Sequence, residues 1–118
     1  MKKSLLIVPA LLALCITLSG CAAAPSAAGQ WGSPLKPNQP SLVLEESGVL
    51  TGTDGCNRMM GSWSQDGSDV TLKDVATTMM FCDGVDTWLS TATRAELEGD
   101  TLVFFNVNDA EVGELTKN

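Results

Sequence analysis

Residues 62–72, Ser-Trp-Ser-Gln-Asp-Gly-Ser-Asp-Val-Thr-Leu, carry the strongest local folding signal in this 118-residue chain. Polar and apolar residues alternate on both sides of Asp66-Gly67, and an Asp-Gly pair between two such runs is typical of a tight β-hairpin turn. The stretch therefore predicts two antiparallel strands joined by a short turn.

Further strand patterns lie on both sides of this hairpin, at the spacing of about 8–12 residues typical of all-β domains. Turn residues separate them at Glu45–Gly48, Glu98–Asp100 and Asn108-Asp109. The predicted strands are Leu42–Leu44, Val49–Thr51, Arg94–Leu97, Thr101–Val107 and Glu111–Leu115. The sequence thus predicts a mainly β fold, a small antiparallel barrel or sandwich.

One short α-helix is predicted over Val85–Ala92, with Trp88 and Leu89 on one side and a cap at Asp83-Gly84. Trp31 is the first expected core residue. Pro34, Pro37 and Pro40 follow it and favour an irregular loop between the first two strands.

The first 20 residues have the organisation of a secretory leader. Lys2 and Lys3 precede an apolar run, Leu5–Leu18, which is too short for the roughly 20 residues of a spanning helix. Leu18-Ser19-Gly20-Cys21 resembles the lipobox of bacterial lipoproteins, so Cys21 is predicted to be acylated, for example with palmitate. The alternatives are a retained transmembrane anchor or an ordinary secretory signal with a chance cysteine.

Residues 22–30 are rich in Ala, Ser, Gly and Pro and predict a flexible tether. The expected organisation is a signal peptide over 1–20, a lipidated cysteine and tether over 21–30, and a domain over 31–118. The protein would then lie on the extracytoplasmic face of the cell membrane, held by membrane lipid through Cys21.

Charge and composition exclude several function classes. Without the leader, the chain has five basic and 14 acidic residues, which gives a net charge of −9. Such a chain repels nucleic acid and anionic headgroups. The chain contains no histidine, so the commonest general base and zinc ligand are missing. The scattered acids form no EF-hand pattern, although a carboxylate pair for glycoside hydrolysis stays open.

Cys56 and Cys82 are the two cysteines of the expected mature domain. An even pair in an oxidising compartment usually forms a disulfide, which would stabilise this domain by about 3.5 kcal/mol. A reactive thiol is the second possibility, but the sequence has neither CxxC spacing nor a histidine that would activate it. Two buried free thiols are the third.

Met59, Met60, Met79 and Met80 lie close in sequence to the two cysteines. Their soft sulfur atoms could bind Cu(I), but the favoured interpretation is that Met60 and Met80 fill gaps in the core. On a strand, Thr78, Met80 and Cys82 would share one face and Met79 and Phe81 the other, so the four methionines would not converge.

Two short motifs together resemble the META domain, or HslJ-like, family of bacterial envelope lipoproteins. They are Gly-Cys-Asn followed by a glycine, and Thr-x-Met-x-Cys. The matching residues are Gly55, Cys56, Asn57, Gly61, Thr78, Met80 and Cys82. The resemblance runs from about Trp31 to Leu115. This chain has Met79 and Phe81 where many members carry Arg and Ala, and a bulky Phe81 alters the surface there.

The resemblance implies a compact antiparallel β fold with a short helix, no cofactor and no catalytic residues. It also implies a stress-associated or protein-interaction role in the envelope. We therefore expect a non-enzymatic module with an envelope protein as its partner. The alternatives are a barrel that binds a small ligand or copper, and an enzyme based on a thiol or a carboxylate.

Overall fold

Among residues 25–118, eight strands form one sheet in which each strand pairs antiparallel with the next in sequence. The strands are β1 Gly29–Gly32, β2 Ser41–Leu44, β3 Val49–Thr53, β4 Arg58–Asp66, β5 Asp69–Thr77, β6 Ala92–Glu98, β7 Thr101–Asn106 and β8 Glu111–Thr116. The computed structural model describes residues 25–118. The predicted leader, Cys21 and the first tether residues lie outside this range.

The two outer strands of the sheet meet. Trp31 of β1 forms an antiparallel bridge with Lys117, and the Asn118 N–H donates to the Gln30 carbonyl at 2.9 Å. The sheet is therefore a nearly closed barrel, which leaves little unpaired strand edge. The predicted mainly β, antiparallel fold is confirmed, in its barrel form.

Side chains fill the barrel interior. Trp31, Leu42, Leu50, Leu102 and Phe104 are fully buried and belong to one continuous core. An eight-stranded barrel is just wide enough to be filled in this way. Trp31 lies in the core, as predicted, but it is not the first core residue, because Ala27 precedes it there. The Trp31 Nε1 donates to the Ala27 carbonyl at 2.8 Å.

Because consecutive strands run in opposite directions, the connections fall at two ends of the barrel. One end, here the turn end, carries the tight turns 45–48, 67–68 and 99–100. The other, the loop end, carries the longer connections 33–40, 54–57, 78–91 and 107–110. The predicted Asp-Gly hairpin and the proline-containing loop are both confirmed.

The chain reaches the barrel at the turn end. The Gln65 Oε1 accepts a hydrogen bond from the Ala27 N–H at 2.7 Å, and its Nε2 donates to the Pro25 carbonyl at 2.8 Å. Ala27 is fully buried. The packed structure therefore begins before Trp31, and β1 starts at Gly29, inside the segment expected to be tether.

The predicted α-helix over Val85–Ala92 is wrong. The structure has a single 3-10 turn, Trp88–Thr91, in its place. The Ser90 and Thr91 hydroxyls donate to the carbonyls three residues back, and Ala92 is already extended and paired with Asn106 of β7. Too few residues are left for an α-helix. No helix among residues 25–118 is long and apolar enough to cross a membrane.

A β-bulge at Gly61 brings β4 and β5 unusually close together. The register between these strands shifts between Met60 and Ser62. A Cβ at position 61 would lie 2.8 Å from the Lys73 carbonyl oxygen and 2.9 Å from the Val75 Cα. Only glycine fits without moving one strand, which explains this motif residue structurally.

We expect Gly61→Ala to lower the free energy of unfolding by about 2–3 kcal/mol, because the added carbon forces the two strands apart. Urea unfolding measures this loss. Gly99→Ala is the control, since its Cβ would meet no atom within 4 Å and only its positive φ costs about 1 kcal/mol. Equal losses in the two variants would contradict the close-approach explanation.

Candidate functional site

A disulfide joins two segments at the loop end. Cys56 lies in the β3–β4 connection and Cys82 follows β5; their sulfur atoms are 2.02 Å apart and their Cα atoms 5.8 Å apart. The predicted disulfide is confirmed. While it is intact, neither sulfur is available as a thiolate nucleophile or thiolate metal ligand.

The side-chain amide of Asn57, next to the disulfide, binds both backbone groups of Met80. Its Oδ1 accepts the Met80 N–H at 2.6 Å, and its Nδ2 donates to the Met80 carbonyl at 3.1 Å. The amide therefore takes the place of a peptide group in a strand ladder. An aspartate has the acceptor but lacks the donor, so the geometry selects asparagine.

Thr78 supplies a further connection between the same segments. Its hydroxyl accepts the Arg58 N–H at 3.0 Å and donates to Asn57 Oδ1 at 2.9 Å. The Thr78 N–H in turn donates to the Arg58 carbonyl at 3.0 Å. Side chains thus continue the β4–β5 pairing beyond Thr77, where strand β5 ends.

Asp54 organises the turn that carries Cys56 and Asn57, a role that the sequence did not reveal. Its Oδ1 accepts the N–H groups of Cys56 and Asn57 at 2.9 and 2.6 Å. The side chain is buried, and Oδ2 has no partner among the described residues. Gly55 completes the turn at a φ of 100°, where other residues are strained. The sequence signal for such an Asx-turn is an Asp two residues before the residue whose N–H it accepts, as Asp54 precedes Cys56.

These residues form one unit, here called the clip: Asp54, Cys56, Asn57, Thr78 and Cys82. All but Asp54 belong to the two motifs found in the sequence. The clip contains one covalent bond and a hydrogen-bonded amide within a few residues of each other. Its effect is to fix residues 79–81 in one conformation.

The segment that the clip holds, Met79–Phe81, is here called the apolar loop. Met79 is 97% exposed, Met80 64% and Phe81 89%. Residues 78–82 belong to no strand, so the predicted alternation of faces is wrong. The prediction that Met60 and Met80 fill the core is also wrong, because Met60 too is largely exposed. Of the four methionines only Met59 is buried in the core.

These positions weaken the copper interpretation. Met59 points into the barrel while the other three methionines are exposed, and the disulfide withdraws both thiolates. Within residues 25–118, no three His, Cys, Asp or Glu side chains are grouped so that they could hold a metal ion.

Two open grooves flank the apolar loop. One, of about 400 Å³, is lined by Asn57, Thr77, Thr78, Met79, Met80, Phe81 and Ser90. The other, of about 230 Å³, is lined by Arg58, Met60, Ala76, Thr77 and Thr78. Phe81 is exposed, whereas Trp63 and Trp88 are half-buried and pack against the core. Of these three aromatic side chains, Phe81 is therefore the one most accessible to a partner.

We expect Asn57→Asp to lower the free energy of unfolding by about 2 kcal/mol, because the Met80 carbonyl loses its donor and faces a carboxylate. Urea unfolding at pH 7 measures the loss. Asn108→Asp is the matched control, since Asn108 is exposed and its side chain makes no hydrogen bond to a described residue. The assigned role of Asn57 is wrong if both variants are equally stable.

The double variant Cys56→Ser/Cys82→Ser should lose about 3.5 kcal/mol of stability, because the loop between the two positions is no longer closed in the unfolded chain. Calorimetry or urea unfolding measures this, and the reduced native chain should behave as the variant does. Iodoacetamide should label both cysteines only after reduction. Labelling without reduction would show that the bond is absent in solution.

Comparison with known proteins places this arrangement in a family. The model of the META domain family matches residues 21–117, a range that includes the whole clip and all eight strands. No curated protein and no solved structure matches the chain at a significant level. The family match covers well over half of the sequence. The chain therefore belongs to the META domain family.

Proposed function

We propose that this protein is a lipoprotein of the cell envelope, anchored through acylated Cys21, that acts by binding another protein and not as an enzyme. The anchoring part rests on the leader-like residues 1–20 and on Leu18-Ser19-Gly20-Cys21. The proposal includes a stress-associated role, and that role rests on the family resemblance.

The observation that carries the binding role is the clip-held apolar loop. Three adjacent apolar side chains lie at the protein surface, and contiguous exposed apolar groups mark interaction sites. The disulfide and the Asn57 amide hold this loop. Since the loop is ordered in advance, a partner does not have to overcome its conformational entropy on binding. Methionine side chains also adapt to varied partner surfaces.

The interior favours binding at the surface over carriage of a ligand inside the barrel. A carrier barrel needs a cavity with an open mouth. Here Trp31 and Phe104 fill the space between the strands, and Trp88 lies against Gly113 at the loop end with its ring centroid 5.6 Å from that of Phe104.

The anchor is tested by the intact mass of the protein extracted from membranes. We expect loss of residues 1–20 and an acyl mass on Cys21, because the cysteine of a lipobox is acylated and becomes the first residue of the mature chain. Cys21→Ser should abolish both, while Cys15→Ser, within the leader, should change neither. A mature protein without acyl mass would overturn the proposed anchor.

The binding role is tested by placing the photocrosslinking residue p-benzoylphenylalanine at position 81 of the full chain in its native cells. Irradiation should give a discrete protein adduct, and a brief dithiothreitol treatment beforehand should diminish it, because the loop is then no longer held. An adduct unaffected by reduction would contradict the role of the clip. The absence of any adduct would contradict the binding role.

A further inference from the structure

The exposed apolar side chains of the barrel are concentrated at one end. Six of the seven large ones among residues 25–118 lie on or beside the loop-end connections. They are Leu35, Met60, Met79, Met80, Phe81 and Val107. Only Val49 lies at the turn end, and it is the least exposed of the seven. The loop end is thus the apolar pole of the molecule.

The chain leaves the barrel toward Cys21 at the opposite end. Gln65 fixes Pro25 and Ala27 at the turn end. From Pro25 to Cys21 there are four peptide steps, which span at most about 15 Å. From Gln65 to Arg58 at the loop end, β4 runs seven residues, about 23 Å at the rise of a strand. A chain attached at Cys21 therefore keeps its turn end beside the bilayer.

Exposed carboxylates are more numerous at the turn end, although Asp83, Asp86 and Asp109 lie in the loop-end connections. The turns at the turn end carry six exposed carboxylates, Glu45, Glu46, Asp66, Asp69, Glu98 and Asp100. Close to an anionic membrane surface these groups are repelled within about 8 Å at physiological salt. The turn end therefore gains no electrostatic attraction to the lipid, and it is the tether that keeps this end beside the bilayer.

Two cations at the loop end have no acidic partner. Arg58 and Lys36 are exposed, and no carboxylate of residues 25–118 lies within 4 Å of either. Arg94 differs, because it donates hydrogen bonds to Asp109 at 2.9 Å and to Glu96 at 3.1 Å, and these two carboxylates raise the pKa of its guanidinium. Arg58 also lines the groove beside Met60 and Thr78.

We infer that the loop end is a docking surface that faces away from the membrane and takes a protein segment bearing apolar side chains next to carboxylates. The apolar loop and Met60 supply the apolar contact, and Arg58 and Lys36 attract the acidic groups. The membrane is not the occupant, because the tether holds the opposite end beside it. This inference rests on the proposed anchoring at Cys21.

The orientation is tested with the lipidated full chain in vesicles whose acyl chains are brominated, a quencher of tryptophan emission. We expect Phe81→Trp to add emission that is as strong in brominated as in unbrominated vesicles, because position 81 lies away from the bilayer. Quenching of this added emission would show that the apolar loop enters the lipid and would overturn the inference.

The docking surface is tested by p-benzoylphenylalanine at positions 35 and 81 of the loop end and at positions 46 and 68 of the turn end, in native cells. We expect adducts from the loop-end positions only. Arg58→Glu combined with Lys36→Glu should reduce them at least about tenfold, whereas Lys73→Glu, an exposed cation on the barrel wall, should leave them unchanged.

Three results would overturn the inference. Adducts from positions 46 and 68 alone would place the contact at the turn end while leaving the proposed binding role intact. Adducts of twice the chain's own mass would make a second copy the occupant. If the double charge reversal leaves the adducts unchanged, the partner segment is not recognised through its carboxylates. A missing acyl group on Cys21, in contrast, is a failure of the proposed anchoring and is detected separately by mass.

Discussion

The loop end of this barrel depends on the side-chain amide of Asn57. The β4–β5 ladder ends at Thr77, and beyond the bond from the Thr78 N–H to the Arg58 carbonyl the polypeptide has no strand partner for its polar groups. Asn57 supplies a donor and an acceptor at the spacing of a peptide unit and so satisfies Met80. Without it, two backbone groups would lose their partners, and the disulfide would cross-link two segments whose relative position was otherwise poorly determined.

The disulfide and the amide have complementary physical effects. A covalent cross-link acts mainly by reducing the entropy of the unfolded chain; in the folded chain it holds the two segments together but does not by itself fix one backbone conformation. Hydrogen bonds to a particular peptide group are directional and do fix one. Together they allow a short segment to expose three apolar side chains without collapsing onto the barrel, which such side chains would otherwise favour. The buried Asp54 supports both by shaping the turn from which they project.

Most strands were predictable from the sequence because each has its signal within a few residues, but β1 begins inside the segment expected to be tether. Asp66-Gly67 fixes the central hairpin, and turn residues at 98–100 and 108–109 delimit β6 to β8. The predictions that were wrong concern residues whose conformation depends on contacts distant in sequence. The 3-10 turn at Trp88–Thr91 is short because Ala92 pairs with Asn106. The sequence near Trp88 does not indicate this pairing. Met60 and Met80 were assigned to the core because apolar residues beside a cysteine usually pack inside. Met60 is exposed because it alternates with the buried Met59 along β4. Met80 is exposed in a connection outside any strand, where Asn57 binds its backbone.

Barrel closure has a consequence for the order of assembly. The bridge from Trp31 to Lys117 joins positions at opposite ends of the described sequence. Since a polypeptide is made from its N-terminus, β1 emerges first and can pair only with β2 until β8 becomes available. Hairpins with neighbouring strands form early, whereas the seam between β1 and β8 has the largest loop-closure entropy. The growing chain therefore stays an open sheet with two unpaired edges, the outer edge of β1 and that of the last strand formed, until β8 is available to close the barrel.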